Sequence, residues 1–374
     1  RHEIMSIIFT IIILGMIIFV HELGHFLTAK YYKMPVNEFA LGMGPKILSK
    51  KIGETVYSIR SLPLGGFVNI GGMQYEEIPT KNEENEKKLN QEEIENIKKN
   101  NENGFFTKSP LSRFVVLISG VIMNFVTAII GIFILLSITN ITPPTHAKPI
   151  IKEVMSYSKA KDILLPKDKI LEFNGKKIIN WNDFVEEISL VNRTKVENNF
   201  IEKNKFPIKI LRNEKIIEES VMLTHNSETS TYVLGVQLEQ QKMNFLEKVD
   251  ISIRIFVNYF KMTFDGLKMM ITGKVSANDI TGPVGLPKLI GQAYEASGYI
   301  ALLNIFILLS INIGLMNLLP IPALDGGRLL FVIPEFFGIK INKKIEEKLH
   351  LVGMIVLFTL MIFIVFNDMT KYFK

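Results

Sequence analysis

The sequence predicts a polytopic α-helical membrane protein, with four transmembrane helices and one inserted β-rich domain. Hydrophobic residues make up 48% of its 374 residues, and many of them are concentrated in long runs. Each of these runs lacks Asp, Glu, Lys and Arg, and each approaches the roughly 20 residues that a helix needs to cross a bilayer. The four runs are Ile4 to Val20, Phe114 to Leu136, Ile300 to Leu319 and Leu351 to Phe366.

The first run is followed directly by more helix-favouring sequence. A removable signal peptide is the alternative for this run, but an Ala-x-Ala-like cleavage site does not follow it. The helical pattern instead continues through Thr28 and Ala29. We therefore expect the first run to be a permanent transmembrane helix.

Two different segments separate the first run from the second. The segment from Val56 to Gly72 has the pattern of short extended pieces around a Gly-Gly turn. The segment from Lys81 to Asn103 is charged and contains few apolar residues, which is typical of a solvated helix or a mobile insertion. We assign no chemistry to this charged insertion.

The β-rich domain is predicted between the second and third runs. A Pro143-Pro144 pair precedes a first strand pattern, and further strand patterns follow as far as Leu238. Asn174-Gly175 predicts a hairpin turn, and a helix is expected with its cap near Asn182. After this domain, charged residues interrupt the apolar residues from Ile251 to Ile271, which favours an amphipathic helix over a fifth span.

Basic residues near the runs predict the orientation of the chain. They are frequent after the first and third runs, whereas only Lys148 lies just beyond the second. Positive charge marks the cytoplasmic side of a membrane protein, so we expect both chain ends and the β-rich domain outside the cytoplasm. The net charge of +6 favours contact with anionic lipid headgroups, and no alternation of basic and aromatic residues indicates nucleic acid. The basic residues are Lys30, Lys33, Lys46, Lys50 and Lys51 after the first run, and Arg328, Lys340, Lys343, Lys344 and Lys348 after the third.

The stretch His21-Glu-Leu-Gly-His25 lies at the end of the first run. His21 and His25 are four residues apart, so both project from one helical face and can reach one cation. This is the zinc-binding pattern His-Glu-x-x-His, in which Glu22 would act as the general base on a zinc-bound water. Ionisable groups in a span are costly and indicate function, although anchoring of the helix at the interface is an alternative for the histidines.

A hydrolytic zinc site needs three protein ligands and one open position. The chain has no cysteine, so the third ligand is expected to be a histidine or a carboxylate. Asp325 follows the third run on the same side as His21 and His25, beside glycines that permit close backbone approach. We predict a zinc site of these three residues, with capping of the following helix as the alternative role of Asp325. The remaining histidines are placed less well: His2 at the opposite face, His146 and His225 in the outer domain, and His350 at the start of a span.

These residues together resemble the site-2 protease family. The resemblance is to its bacterial branch, which has one PDZ domain between the second and third spans. It implies an intramembrane zinc metalloprotease of the type that processes anti-sigma factors or remnant signal peptides. The motifs that carry the resemblance are His21-Glu-Leu-Gly-His25, Leu62-Pro-Leu-Gly-Gly-Phe-Val68, Asn124, Thr281-Gly-Pro-Val-Gly285 and the stretch from Ser310 to Arg328.

The resemblance also implies a role for each matching residue. Residues 56–72 resemble the membrane-associated β-loop of the family, whose edge would bind an unwound substrate. For Asn124, hydrogen bonding between helices is the interpretation that we favour. The implied roles are His21, His25 and Asp325 as Zn²⁺ ligands, Glu22 as the catalytic base, and Asn317, Gly65, Gly66 and Phe67 as substrate-binding residues.

The implied substrate is a single-pass transmembrane protein that an upstream protease has already shortened on its outer side. The implied location is the inner, cytoplasmic membrane, with the active site near the cytoplasmic side. Two alternatives are a catalytically inactive scaffold that binds partners through its PDZ-like domain, and a metal carrier. A scaffold does not need Glu22 beside the ligands, and a carrier would need a polar path through spans that are apolar.

These expectations divide the chain into seven parts. They are residues 1–30, the first transmembrane helix; 31–110, a cytoplasmic segment with the β-loop at 56–72 and the charged insertion at 81–103; 111–138, the second transmembrane helix; 139–240, the extracytoplasmic PDZ-like domain; 241–298, an amphipathic connecting segment; 299–328, the third transmembrane helix with its Leu-Asp-Gly motif; and 329–374, a cytoplasmic loop and the fourth transmembrane helix.

Overall fold

The computed structural model describes residues 2–73, 91–194, 200–227, 229–274, 282, 284–339 and 342–372. The chain forms two compact units. One unit, which we call the membrane unit, consists of residues 1–135 and 252–374. The other, the β unit, consists of residues 136–251.

Four helices in the described part of the chain are long and apolar enough to cross a membrane. This confirms the predicted fold class of four spans with an inserted β-rich region. In chain order the helices are α1 His2–Tyr31, α2 Gln91–Asn103, α3 Pro110–Thr139, α4 Trp181–Thr194, α5 Phe200–Lys203, α6 Phe245–Ile271, α7 Leu286–Asn317, α8 Asp325–Val332 and α9 Lys343–Tyr372; the four candidate spans are in α1, α3, α7 and α9.

Helix α1 has one exposed apolar side and one side that is buried in the protein. Ile4, Ile8 and Ile12 are exposed large hydrophobic residues, as expected for a surface that faces lipid. The buried side includes two isoleucines in its first half and two histidines in its second half, which the neighbouring helices shield from lipid. Its members are Thr10, Ile13, Ile17, His21, Gly24, His25 and Ala29.

Strands β1 (Val36–Ile52) and β2 (Thr55–Ile70) form an antiparallel sheet and lie between the first two spans in sequence. Residues 38–41 pair with 56–59 and also with 66–69, so the two long strands fold into four extended segments. β2 contains most of the predicted β-loop, whereas β1 was not predicted. The reason is that Gly42 and Gly44, both with positive φ, interrupt the alternation of apolar and polar residues on which strand prediction depends.

The charged insertion and a short glycine motif lie only partly in the described residues. Residues 81–90 of the insertion are outside them, and residues 91–103 form α2.

Of the glycine motif at 281–285, Thr281 and Pro283 are outside the described residues. The backbone N–H groups of Gly282 and Gly285 donate hydrogen bonds of 3.2 and 3.1 Å to the carboxylate of Asp368 near the end of α9.

Helix α7 begins earlier than the predicted third transmembrane helix. It starts at Leu286, and Gly298 interrupts its regular geometry with φ 61°. The predicted apolar run therefore begins just after this break. The stretch after Asn317 turns sharply and leads into α8, which begins at Asp325.

The β unit has a four-stranded sheet in the order β5-β4-β6-β7 and two further strand pairs, β10-β3 and β8-β9. Phe173, Phe184 and Phe206 are buried in its core together with residues of helix α4. The strands are β3 Ile151–Val154, β4 Lys169–Phe173, β5 Lys176–Lys177, β6 Phe206–Arg212, β7 Lys215–Val221, β8 Thr224–Asn226, β9 Thr231–Val233 and β10 Val236–Leu238.

Two local features of the β unit differ from expectation. Helix α4 begins at Trp181, and its cap is Asn180, whose Oδ1 accepts a hydrogen bond of 3.0 Å from the N–H of Asp183. The predicted cap near Asn182 was therefore two residues late. The strand predicted up to Leu238 is divided into β9 and β10, because Gly235 adopts φ 71° between them.

Candidate metal centre and active site

The two histidines of the first span lie on its buried side. His21 and His25 are one helical turn apart, and their ring centroids are separated by 4.8 Å at nearly a right angle. The Nε2 atoms of the two rings are 3.2 Å apart. Both rings therefore present the same nitrogen to one point inside the membrane unit.

Asp325 reaches this point from the other end of the sequence. Its Oδ2 lies 3.0 Å from Nε2 of His21, a residue 304 positions away, and 3.2 Å from Nε2 of His25. The Asp325 side chain is 22% exposed, whereas those of the two histidines are more deeply buried. Leu324 is the N-cap of α8 and makes no capping hydrogen bond with its side chain. The carboxylate of Asp325 is thus directed to the histidines.

The turn before Asp325 is compact because glycines and a strained residue permit it. A Cβ added to Gly326 would lie 2.3 Å from the Leu319 carbonyl oxygen, so no larger residue fits there without a shift. Ala323 adopts φ 86°, an uncommon value for a residue with a side chain. Its N–H donates a hydrogen bond of 3.1 Å to Nδ1 of His350 on α9. The fourth span therefore holds the turn that positions Asp325.

The ligand set fits a zinc ion. The nitrogen and oxygen atoms of His21, His25 and Asp325 all lie within 4.8 Å of one another, and no other group of three His, Asp or Glu residues in the described ranges does so. Two histidines and one carboxylate are a ligand set that zinc uses in hydrolytic sites. His350 instead accepts a hydrogen bond from the backbone N–H of Ala323.

Residues of helix α3 contact the two histidine rings. Nδ1 of His25 is 2.7 Å from the carbonyl oxygen of Val116, so it donates its proton there and leaves Nε2 free to bind a metal. A Cβ added to Gly120 would lie 2.5 Å from His25 Nε2 and 2.8 Å from His21 Cε1. Gly120 therefore keeps open the space beside the predicted ligand atoms.

Of these α3 residues, the sequence analysis named only Asn124, and it did not place Asn124 beside the histidines. Val116, Gly120 and Asn124 are four residues apart in succession, which places them on one face of a helix. Nδ2 of Asn124 lies 3.3 Å from His21 Nδ1. The spacing of a glycine and an asparagine on one face of the span was the available signal, whereas the sequence indicated only hydrogen bonding between helices for Asn124.

The predicted base lies against the sheet. Oε2 of Glu22 accepts a hydrogen bond of 2.9 Å from the backbone N–H of Val68 in β2. Among the described residues, segment 66–70 pairs only with β1, so this N–H belongs to an edge of the sheet. Gly65, Gly66 and Phe67 precede Val68 directly, so the structure brings the predicted substrate-binding segment to the predicted catalytic base.

Residues 9–360 match the model of a protein family that is described as Peptidase family M50. The chain belongs to peptidase family M50. A Fusobacterium nucleatum protein named as a candidate zinc metalloprotease is 39% identical to this M50 chain over 373 residues, covering 99% of this chain and 100% of its own. A Clostridium acetobutylicum protein with the same kind of name is 32% identical over 369 residues, covering 97% of each chain.

Part of the chain is also similar to two solved structures. They are PDZ domains of SdrC-like proteins from Listeria monocytogenes and Listeria innocua, each covering 26% of this chain, with a TM-score of 0.21. The sequence identities are 20% and 21%, and the matches cover 93% and 99% of the Listeria chains.

An ion-pair cluster supports the sheet of this M50 chain near Phe67. Oε1 of Glu38 accepts hydrogen bonds of 2.5 Å from Ser58 and 2.7 Å from Arg60, and Lys46 lies 3.2 Å from Oε2. Partial burial would raise the pKa of Glu38, but these donors outweigh it and lower that pKa below its ordinary value. The Arg60 guanidinium lies 4.8 Å from the centroid of the Phe67 ring, so the cluster holds one of the predicted substrate-binding residues.

Asn317 is the one predicted site residue that is not joined to the cluster. It is the last residue of α7 and is half-buried. In the described ranges, no hydrogen bond links its side chain to Glu22 or to the three ligands. Its substrate-binding role in this M50 chain stays a prediction.

Proposed function

We propose that this M50 peptidase is a site-2-type intramembrane metalloprotease that cuts a single-pass membrane protein within or near its transmembrane segment. The observation that carries the proposal is the meeting of His21, His25 and Asp325 on the inner side of apolar helices, with Glu22 between the two histidines in sequence. The protein is a zinc metalloprotease, as its membership of family M50 and the names of its relatives indicate.

The chain's own residues supply the proton transfers. Zinc, when bound by His21, His25 and Asp325, would supply Lewis acidity that polarises the scissile carbonyl and makes water more acidic. Glu22 would accept the proton of the attacking water and deliver it to the nitrogen of the leaving amine. Its hydrogen bond with Val68 holds the carboxylate in one position, which limits the reorganisation that the reaction requires.

The edge of β2 would bind the substrate in extended form. A helical peptide bond is shielded by its own hydrogen bonds, whereas a strand added to a sheet edge leaves alternate carbonyl groups accessible. The Val68 N–H that contacts Glu22 belongs to this edge. A substrate strand beside segment 66–70 would therefore pass close to the base.

The β unit would select which substrates reach the site. We propose that it is a PDZ-like domain outside the cytoplasm, and that it excludes proteins with a bulky outer domain by size. The substrate would be an anti-sigma factor or a remnant signal peptide that an upstream protease has shortened. The distribution of basic residues supports an inner-membrane protein with its active site near the cytoplasmic side.

The alternative is a catalytically inactive scaffold that binds partners through the PDZ-like domain. A scaffold does not need a carboxylate beside a metal-ligand cluster. The hydrogen bond between Glu22 and the sheet edge favours the protease, because it joins the base to the surface where a peptide would bind.

The test is cleavage by the full chain in liposomes. Two single-pass substrates share one transmembrane segment; one has a short outer tail, and the other carries a folded outer domain. We expect the short-tailed substrate to be cut within or next to its transmembrane segment, as mapped by mass spectrometry, and the other to be cut much more slowly. Cleavage confined to a soluble tail would contradict an intramembrane activity. Zinc-loaded protein that cuts neither substrate would support the scaffold.

A further inference from the structure

The Asn124 side chain is completely buried in α3, in a span whose residues are mostly apolar. Its Nδ2 lies 3.3 Å from Nδ1 of His21. Among the described residues, nothing donates a hydrogen bond to its Oδ1. A buried amide oxygen without a donor is costly, on the order of 1–3 kcal/mol, so this arrangement needs a physical explanation.

The protonation of His21 provides the explanation. A neutral histidine that offers the lone pair of Nε2 to a metal carries its single proton on Nδ1. The Nδ1–H group is then a donor, and an amide nitrogen is also a donor, so the two cannot bond to each other. The oxygen and nitrogen of an asparagine amide are assigned from their hydrogen-bond partners. A half-turn of the Asn124 amide places Oδ1 beside Nδ1–H and satisfies both groups.

His25 shows the same arrangement on the same helix. Its Nδ1 lies 2.7 Å from the carbonyl oxygen of Val116, which accepts its proton. Val116 and Asn124 are two helical turns apart on one face of α3, with Gly120 between them. One face of α3 thus offers an acceptor to each histidine, from the backbone for His25 and from a side chain for His21.

We propose that Asn124 is a positioning residue for the metal centre: its Oδ1 accepts the Nδ1–H of His21 and thereby fixes the tautomer and orientation that present Nε2 to zinc. The proposal rests on the metal site inferred above. It assigns to Asn124 a role beyond the hydrogen bonding between helices that the sequence indicated. Outer partners of metal-bound histidines of this kind are typically worth about 10- to 100-fold in metal affinity.

Helices α3 and α7 also contact each other beside Asn124, and these contacts do not use its side-chain amide. Ser310 Oγ on α7 donates a hydrogen bond of 2.9 Å to the Asn124 carbonyl oxygen. Gly314, one turn further along α7, lies close enough for an added Cβ to meet the Asn124 Cβ at 3.5 Å. These contacts join the two helices without using the Asn124 amide, so the amide is available to His21.

The test is the zinc affinity of the full chain in detergent, measured by competition with a zinc-binding dye at constant pH. Asn124→Leu keeps the approximate volume and removes the acceptor, and we expect its affinity to fall about 10- to 100-fold. Asn124→Asp restores an acceptor, and we expect it to bind zinc within about threefold of the wild type. Ser310→Ala removes a hydrogen bond between the same helices without touching His21, and it should bind zinc as the wild type does.

The order of affinities separates the outcomes. A leucine variant that binds zinc like the wild type, or an aspartate variant that binds no better than the leucine variant, would overturn the proposal. Zinc binding reduced equally in Ser310→Ala and Asn124→Leu would also overturn it, because packing between the helices would then be the cause. Wild-type protein that fails to bind zinc would contradict the metal site itself.

Misfolding is separated from loss of the acceptor by measuring the metal-free proteins. Thermal unfolding followed by circular dichroism should give similar midpoints for the wild type and Asn124→Leu without zinc. If the leucine variant does not fold, Asn124→Ala replaces it, since alanine fits any site that asparagine occupies and also lacks the acceptor. The same 10- to 100-fold loss is expected, and its absence would overturn the proposal.

Discussion

Replacing Glu22 with glutamine is expected to reduce the cleavage rate by about 10²- to 10⁴-fold, the range that general base catalysis contributes. Glutamine has nearly the same shape, and its Oε1 can still accept the N–H of Val68, which Glu22 binds at 2.9 Å. The position of the sheet edge is therefore preserved. What is lost is the ability to take a proton from water, while His21, His25 and Asp325 are unchanged.

The measurement combines single-turnover cleavage of the short-tailed substrate with zinc analysis of the same protein sample. Glu3→Gln is the matched control, since Glu3 is an exposed glutamate near the other end of the same helix. We expect Glu3→Gln to cleave at the wild-type rate and Glu22→Gln to retain zinc. Cleavage at the wild-type rate by Glu22→Gln would exclude Glu22 as the base.

Replacing Gly120 with alanine is expected to weaken zinc binding at least about 10-fold, and cleavage with it, because displaced metal ligands have effects of this size or larger. The added Cβ would lie 2.5 Å from His25 Nε2, a proposed ligand atom, and 2.8 Å from His21 Cε1. Real contacts at these distances do not occur, so a ring or a helix has to move. Either movement separates the atoms that bind the metal.

Gly131→Ala on the same helix is the matched control. Its Cβ would meet Cγ1 of Ile307 at 2.8 Å, which is part of an apolar side chain and not of the metal centre. The expected result is normal zinc binding by Gly131→Ala and weakened binding by Gly120→Ala, with both measured by dye competition. Equal zinc affinity in the two variants would show that the space beside Gly120 is not required for the metal.

The parts of the structure that could be predicted are those with a strong local signal. An uncharged run of apolar residues has few stable conformations in lipid other than a helix, so the four spans followed from the sequence. His21 and His25 share a helical face by their spacing alone. Asp325 was predicted because the chain has no cysteine and because this carboxylate lies on the same predicted side of the membrane as the histidines. The turn that brings it to them depends on Ala323 and His350, which no local pattern revealed.

The parts that could not be predicted depend on contacts between distant segments. The acceptor for His25 is a backbone carbonyl at Val116, and a carbonyl has no signature in sequence. A buried asparagine such as Asn124 has the same appearance whether it joins two helices or orients a histidine. Strand β1 was missed because its pairing with β2, not its own residue pattern, makes it a strand.

The central claim is that two motifs 304 residues apart form one metal site. The most direct measurement is the zinc content per chain of detergent-purified protein, for the wild type, for Asp325→Ala and for Asp265→Ala, which replaces an exposed aspartate of α6. We predict about one zinc per chain in the wild type and in Asp265→Ala, and much less in Asp325→Ala, since a hydrolytic site needs three protein ligands. Full zinc retention by Asp325→Ala, or wild-type protein that takes up no zinc, would contradict the claim.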